Sequence, residues 1–257
     1  MKNYRYVLLD PTGNLTCLVT DPVPPDMRGA VTDMLMDRCE QVGYLTRAGT
    51  MPRLEMMGGE FCGNAAMACA AYLAEKAGAV GETAVPLSVS GVSEAVECVV
   101  RPLSPGLWEG RVKMPPVREC RPVDLGGRKA YLVSMEGIAH LITEGPPLEK
   151  AEAEKLLIKT APALPEEAAG LLQWDGELMR PLVLVKKSGT LVWENGCGSG
   201  TTALCAYLAL SRGVTRADVR QPGGTILAEA ELRPGSPVRV AITGRIRFRG
   251  EGCAALP

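Results

Sequence analysis

Two cysteines, Cys62 and Cys197, stand 135 positions apart, and each opens the same short phrase. The first reads Cys62-Gly63-Asn64-Ala65-Ala66-Met67-Ala68 and closes on Tyr72-Leu73-Ala74 before Gly78. The second reads Cys197-Gly198-Ser199-Gly200-Thr201-Thr202-Ala203 and closes on Tyr207-Leu208-Ala209 before Gly213. Tyr, Leu, Ala and Gly fall ten, eleven, twelve and sixteen residues after the cysteine in both, with no gap. The period is too long for a solenoid and predicts two related halves of domain size, one cysteine in each. Each phrase predicts a helix that starts at its cysteine. The first turn of a helix carries unpartnered N–H groups and about half a positive charge, so a thiol there is expected to be more acidic than a free one. A thiolate is a base as well as a nucleophile.

Gly63 and Gly198 keep the backbone behind each sulfur bare, and bare N–H groups at a helix start suit a carboxylate. Asn64 and Ser199 add side-chain donors. Two such helices facing each other would hold one carboxylate and set a sulfur on either side of the attached carbon. One thiolate then removes the α-proton while the opposing thiol delivers a proton to the other face, which inverts the centre. With no ring or metal as electron sink, fixed N–H dipoles in a water-poor cleft must carry the developing charge. Glu60 and Glu194 lie two and three residues before the cysteines. They orient a substrate ammonium, or simply favour a helix start as solvated acids. A different class of protein also fits facing thiols, a thiol-disulfide redox or sensor protein, since a disulfide is their expected oxidation product.

The formal net charge is −1 and the basic residues are scattered singly, so neither nucleic acid nor a membrane surface is an expected partner. None of the nine cysteines has the close spacing of a zinc knuckle, and no metal site is expected. Cys17, Cys39, Cys69, Cys98, Cys120, Cys205 and Cys253 sit in apolar or strand-like contexts and read as small core residues. The opening run Val7–Asp10 is too short for the core of a signal peptide. The longest uncharged apolar run, Ala65 to Ala74, falls far short of the ~20 residues of a membrane span. Cytoplasmic localisation is the expectation.

The elements that must position the cysteines follow from turn signals and periodicity. Tyr6–Asp10 and Leu15–Thr20 read as a hairpin turned by Pro11-Thr12-Gly13-Asn14. Asp26 is placed to cap an amphipathic helix with Val31, Met34, Leu35 and Val42 on one face. Leu54–Met57 is a strand feeding Gly58-Gly59-Glu60-Phe61. The helix from Cys62 to about Ala77 is apolar on nearly every side, which predicts enclosure by sheet. Strands are expected at Pro86–Ser90, Ala95–Arg101, Leu107–Met114, Ala130–Met135, Ala139–Thr143, Leu182–Lys187 and Leu191–Glu194, with a charged helix from Glu149 to Lys159. Ile226–Leu232, Pro237–Ala241 and Arg245–Arg249 complete the set. Strands outnumber helices, an α+β plan used twice.

With these residues in hand, the chain resembles the diaminopimelate epimerase fold family of cofactor-independent amino-acid racemases and epimerases. The likeness runs nearly end to end, through Gly13-Asn14, Cys62-Gly63-Asn64, Val133-Ser134-Met135 followed by His140, Cys197-Gly198-Ser199-Gly200, Pro222-Gly223-Gly224 and the tail Thr243-Gly244 to Phe248-Arg249-Gly250-Glu251. It implies two pseudo-symmetric domains, each a curved, mostly antiparallel sheet around a central helix, with the site in the cleft between them. It implies residues 1–115 for the first half, with strand 245–257 returning to it, and 116–244 for the second. It also implies catalytic Cys62 and Cys197, no cofactor, and substrate contacts from Asn14, Gly63, Asn64, His140, Glu194, Gly198 and Ser199, with Glu60 a further candidate. The partner would be a small-molecule amino acid, and a homodimer is left open.

Diaminopimelate epimerases carry an Asn ahead of the first cysteine, Asn-Pro-His after the Ser-Met strand and Glu-Arg-Gly before the second cysteine. Here those segments read Met56-Met57-Gly58-Gly59, Gly137-Ile138-Ala139-His140 and Glu194-Asn195-Gly196. The missing side chains serve the far end of diaminopimelate, which would be left without partners. The wording Gly-Gly-Glu-Phe-Cys-Gly-Asn and Glu-Asn-Gly-Cys-Gly-Ser-Gly-Thr-Thr is closer to histidine racemases. Histidine is therefore the favoured substrate and LL-diaminopimelate the alternative. An isomerase of the phenazine-pathway type shares the fold without the paired cysteines, and proline racemases have two cysteines in different surroundings.

Overall fold

In a computed structural model that describes residues 2–187 and 189–256, the chain first reverses at Thr12 and Gly13, whose φ angles are 54° and 87°. This turn joins β1 (Lys2–Pro11) to β2 (Thr16–Val19) as an antiparallel pair with Tyr6 opposite Val19. The chain divides into two compact units, 1–113 with 243–257, and 114–242.

In the first unit, α1 (Arg28–Leu35) lies between β2 and β3 (Gln41–Ala48), and β4 (Met51–Met56) precedes α2 (Gly63–Lys76). Strands β5 (Thr83–Val89), β6 (Val96–Ser104) and β7 (Leu107–Lys113) follow. Neighbours pair in chain order from β1 to β7, and the long last strand β16 (Arg239–Leu256) bonds to both β7 and β1, closing the ring. Inside it lies α2, whose Ala65, Ala66, Ala68, Ala70 and Ala71 are all buried. Small side chains let strands approach from several directions at once. The opposite face of the β1–β3 corner is covered by α1, where Tyr4, Tyr6, Val31, Leu35, Val42 and Tyr44 form a separate apolar cluster.

Two local expectations are corrected here. Asp26 does not cap α1, whose N-cap is Met27 without a side-chain bond. Val42 leaves the helix because the Glu40 and Gln41 N–H groups donate to Leu15 O, which starts β3 alongside β2.

The second unit holds a six-stranded sheet in the order β13 (Thr190–Trp193), β12 (Met179–Val185), β11 (Ala168–Trp174), β10 (Ile138–Glu144), β9 (Lys129–Met135), β8 (Glu119–Asp124). One face packs on α3 (Lys150–Thr160) through Ala139, Leu141, Ala169, Leu171, Ala153 and Leu157. Side chains alternate across a strand, so His140 and Gly170 point to the other face. That face meets α4 (Gly198–Arg212), which also packs on the antiparallel pair β14 (Arg216–Gln221) and β15 (Gly224–Glu231). Gly213, at φ 70°, ends α4 in the left-handed conformation.

Both sheets are mostly antiparallel, with β2–β3, β4–β5 and β10–β11 running parallel. Each parallel pair is joined through a helix, α1, α2 and α3 in turn, which is the crossover that parallel pairing requires. Among the described residues no helix is long and apolar enough to cross a membrane.

Candidate active site

Each cysteine is the N-cap of its helix, and in each the capping acceptor is sulfur. Cys62 is extended at φ −128°, and its Sγ accepts the Ala65 N–H at 3.4 Å. Cys197, at φ −112°, accepts the Gly200 N–H at 3.2 Å. Gly63 and Gly198 therefore occupy the first helical position and Asn64 and Ser199 the second, where backbone N–H groups have no helical acceptor.

Around Cys62 the first unit builds a polar seat. The Cys62 thiol points at Asn14 Oδ1, 4.0 Å away. Asn14 is only 4% exposed; its Nδ2 donates to Glu40 Oε2 (3.1 Å) and its Oδ1 accepts from Gln41 Nε2 (2.6 Å). Gln41 Nε2 also donates to Thr16 Oγ1, and Thr16 donates back to Asn14 O. The approach to Cys62 is clamped by Ser90, whose hydroxyl donates to Glu60 O (2.8 Å) and accepts the Met56 N–H (2.9 Å). Glu60 folds back over Gly58, and burial raises its carboxyl above the usual carboxylate range, opposed by the Glu60 and Gly58 N–H groups.

Around Cys197 the second unit builds a tighter seat. Cys197 is 3% exposed. Its N–H donates to Gln221 Oε1 (2.7 Å), Gln221 Nε2 donates to Thr201 Oγ1 (2.8 Å), and Thr201 donates to Cys197 O (2.7 Å). The Ser199 hydroxyl lies 3.4 Å from the Cys197 sulfur and 2.9 Å from His140 Nε2. His140 has no exposed surface. It sits beneath Ser199, with Nδ1 against Gly170, where an added Cβ would stand 2.1 Å from that nitrogen.

The expectation that the helix start acidifies both thiols is overturned at Cys197. Burial pushes this thiol well above its ordinary value, and the Glu194 carboxylate beside it pushes the same way; Ser199 and the Gly200 N–H pull only partly back. Glu194→Gln removes the like charge and leaves the thiol easier to ionise. The half-titration point of Cys197, followed by thiolate absorbance against a Cys197→Ser control, then falls.

Burial also holds His140 neutral, its pKa pushed down to about 3. The unfolded chain binds this proton from about pH 6.5 downwards and the folded protein does not, so stability present above pH 6.5 is lost as pH falls towards 3. The slope from this one group is about 1.4 kcal/mol per pH unit within that window. His140→Gln is expected to flatten the fall of melting temperature there by that component.

Sequence reasoning singled out Asn14, His140, Glu194 and Ser199 but missed Glu40, Gln41, Ser90 and Gln221, which set the cysteine seats. Gln221 directly precedes the quoted Pro222-Gly223-Gly224, the one local signal for it. All nine cysteines are free thiols. Among the described residues no group of three or more His, Cys, Asp or Glu could hold a metal ion.

Comparison with known proteins adds independent findings. Residues 3–255 match the family described as "Histidine racemase CntK N-terminal domain". A histidine racemase from Fusobacterium nucleatum is 30% identical over 256 residues, covering 94% of this chain and 95% of its own. Among solved structures, a hydroxyproline epimerase from Agrobacterium vitis superposes with a TM-score of 0.71 at 15% identity, covering 100% of this chain and 92% of that one. A phenazine biosynthesis protein of the PhzF family from Bacillus anthracis gives 0.73 at 11% identity, each chain fully covered. These structural likenesses establish a fold shared by enzymes of different chemistry.

Proposed function

This chain belongs to the histidine racemase family, and from that premise we propose that it inverts free histidine at the α-carbon by passing protons through Cys62 and Cys197, without a cofactor. Membership makes it an isomerase and an amino-acid racemase; the substrate and the two-thiol mechanism are our reading. The observation that carries it is the repeated N-cap, in which a sulfur in place of the usual oxygen receives the N–H three residues on. Such a sulfur is stabilised when it bears negative charge and stands beside bare N–H groups suited to a carboxylate.

Burial and Glu194 push the Cys197 thiol up, and on that ground we assign the acid's part in the free protein to Cys197 and the base's part to Cys62. The Cys62 thiolate takes the α-proton, forming an S–H bond as the Cα–H bond breaks. Cys197 gives its proton to the other face of the carbon and becomes the thiolate. Atoms balance, and turnover simply exchanges the protonation of the two sulfurs. N–H groups of Gly63, Asn64, Gly198 and Ser199 take up the charge that moves onto the substrate carboxylate. The duplicated cysteine phrases further lead us to read the two units as copies of one plan, as in the diaminopimelate epimerase fold.

The test is a panel of single L-amino acids and LL-diaminopimelate, incubated under reducing conditions and resolved by chiral chromatography. Histidine is expected to be inverted with kcat/KM at least about tenfold above the rest, the scale on which a fitted polar pocket discriminates. Inversion of no amino acid, or preference for LL-diaminopimelate, overturns the reading.

A further inference from the structure

Among the described residues Thr12 is the one non-glycine residue with a positive φ, 54°. A β-branched side chain in the left-handed region is strained, and such strain persists where the surroundings over-determine it, typically beside a functional site. A glycine would adopt this conformation freely, yet the position holds a threonine. The bonds of its hydroxyl give a reason.

Thr12 is fastened to a strand 233 residues away. Its N–H donates to Arg245 O (3.0 Å), its Oγ1 donates to the same oxygen (3.2 Å), and Oγ1 accepts the Arg245 N–H in return (3.2 Å). A Cβ at Gly244 would stand 2.9 Å from Oγ1, so the bare backbone there makes room for the hydroxyl. Asp10 ties the other side of the turn, its Oδ1 accepting the Gly13 N–H (2.7 Å) and its Oδ2 accepting from Arg249 Nε (2.9 Å). Strand β16 thus holds the reversal at two places. Asn14 leaves that reversal, its N–H still bonded back to Pro11 O (3.3 Å), and its Oδ1 faces the Cys62 thiol.

We propose that Thr12 is a positioning residue for Asn14 and, through it, for Cys62: its hydroxyl latches the strained turn to β16 and sets where the Asn14 carbonyl meets the sulfur. The proposal rests on the reading of Cys62 as a proton-transferring cysteine. The Asn14 amide is oriented by Glu40, which accepts from Nδ2, and by Gln41, which donates to Oδ1. Once Cys62 has taken the α-proton, that oxygen accepts its S–H. Without the Thr12 hydroxyl the turn keeps its backbone bond to Arg245 but loses the two bonds that stop it rotating, and the Asn14 oxygen moves with it.

The experiment compares Thr12→Gly with Thr12→Ser in the full-length protein. Glycine takes a positive φ without steric cost but has no hydroxyl, whereas serine keeps the hydroxyl. Relief of strain offsets the lost bonds, so Thr12→Gly is expected to melt within about 4 °C of wild type. The first readout is alkylation of Cys62 by iodoacetamide at fixed pH, followed by peptide mass spectrometry in a Cys197→Ser background. An acceptor facing a thiol favours its protonated form, so displacing the Asn14 oxygen in Thr12→Gly is expected to raise the rate about threefold. Asn14→Ala gives a rise at least as large, Thr12→Gly adds nothing in an Asn14→Ala background, and Thr12→Ser stays near wild type. The second readout, with Cys197 intact, is histidine racemisation: kcat falls about tenfold in Thr12→Gly with a smaller change in KM, and Thr12→Ser restores most of it. An unchanged alkylation rate in Thr12→Gly overturns the latch, as does an unchanged kcat in protein that inverts histidine. A Thr12→Gly protein that melts more than about 10 °C below wild type makes Thr12 a residue of the fold alone and overturns it too. The predicted alkylation pattern in protein that inverts no amino acid sinks the racemase reading and leaves the latch standing.

Discussion

Cys62→Ser and Cys197→Ser each lower kcat/KM for histidine racemisation by about three to four orders of magnitude, the upper part of the range for loss of a positioned acid or base. A serine hydroxyl keeps the N-cap geometry, because oxygen accepts the N–H of Ala65 or Gly200 at least as well as sulfur does. Folding and melting temperature therefore stay near wild type, and the loss reports chemistry. Hydroxyl oxygen fails because it gives up its proton far less readily than a thiol and cannot complete a proton transfer with an α-carbon at neutral pH. The double variant loses no more than about the larger single loss, since the two groups act as a unit in each turnover. Chiral chromatography of histidine with the three purified variants checks this. A variant retaining a tenth or more of wild-type activity contradicts the assigned role of that sulfur.

Gly91→Ala is expected to remove most activity although Gly91 itself has no assigned part in the chemistry. Gly91 sits at φ 78°, in the left-handed region, and a Cβ there would lie 2.2 Å from Phe61 N and 2.6 Å from the Glu60 carbonyl carbon. Both obstacles are backbone, so no side-chain rotation relieves them. The left-handed conformation alone costs a non-glycine residue about 1–3 kcal/mol. The clash must be met by moving the Glu60–Phe61 segment, and that segment leads directly into Cys62. A displacement of the order of 1 Å at a reacting group can cost about 100-fold in rate. We expect a lowered melting temperature together with a loss of about that size. Ser90→Ala, by comparison, removes one hydroxyl that bridges Met56 N–H and Glu60 O, and is expected to cost about 1–3 kcal/mol of stability because it leaves buried backbone groups without a partner. Unchanged melting and activity in Gly91→Ala would contradict the clamp.

The cysteine seats were legible because an N-cap is local: the residue type, the Gly after it and the apolar run that follows are adjacent in sequence. Strands β3, β8, β11 and β14 were not legible, for differing reasons. In β3, Val42 falls at a helical spacing from Leu35, and only the pairing with Leu15 decides against the helix. In β11 the burial runs unbroken from Ala169 to Gln173 because the strand is covered on both faces, so the sequence shows no alternation. The split expected near Thr243-Gly244 is absent, and Arg239–Leu256 is one strand.

The partners of the site were hidden for a tertiary reason. Glu40, Gln41 and Gln221 lie 22, 21 and 24 residues from the cysteines whose seats they build, and no spacing rule links them. The expectation of an acidified Cys197 failed on magnitude: a helix start pulls a thiol down, but full burial and an adjacent carboxylate push harder. At this position the motif fixes the helix start, while the surroundings decide the direction in which the thiol shifts.

The most direct measurement of the two-thiol mechanism follows L-histidine in deuterium oxide, with both enantiomers separated at early times and their α-deuterium content read by mass spectrometry. A two-base exchange predicts that the D-histidine formed carries deuterium at the α-carbon from the first time point, while the remaining L-histidine stays almost unlabelled. D-Histidine retaining its original α-hydrogen, or L-histidine gaining deuterium as fast as the D form appears, would contradict it.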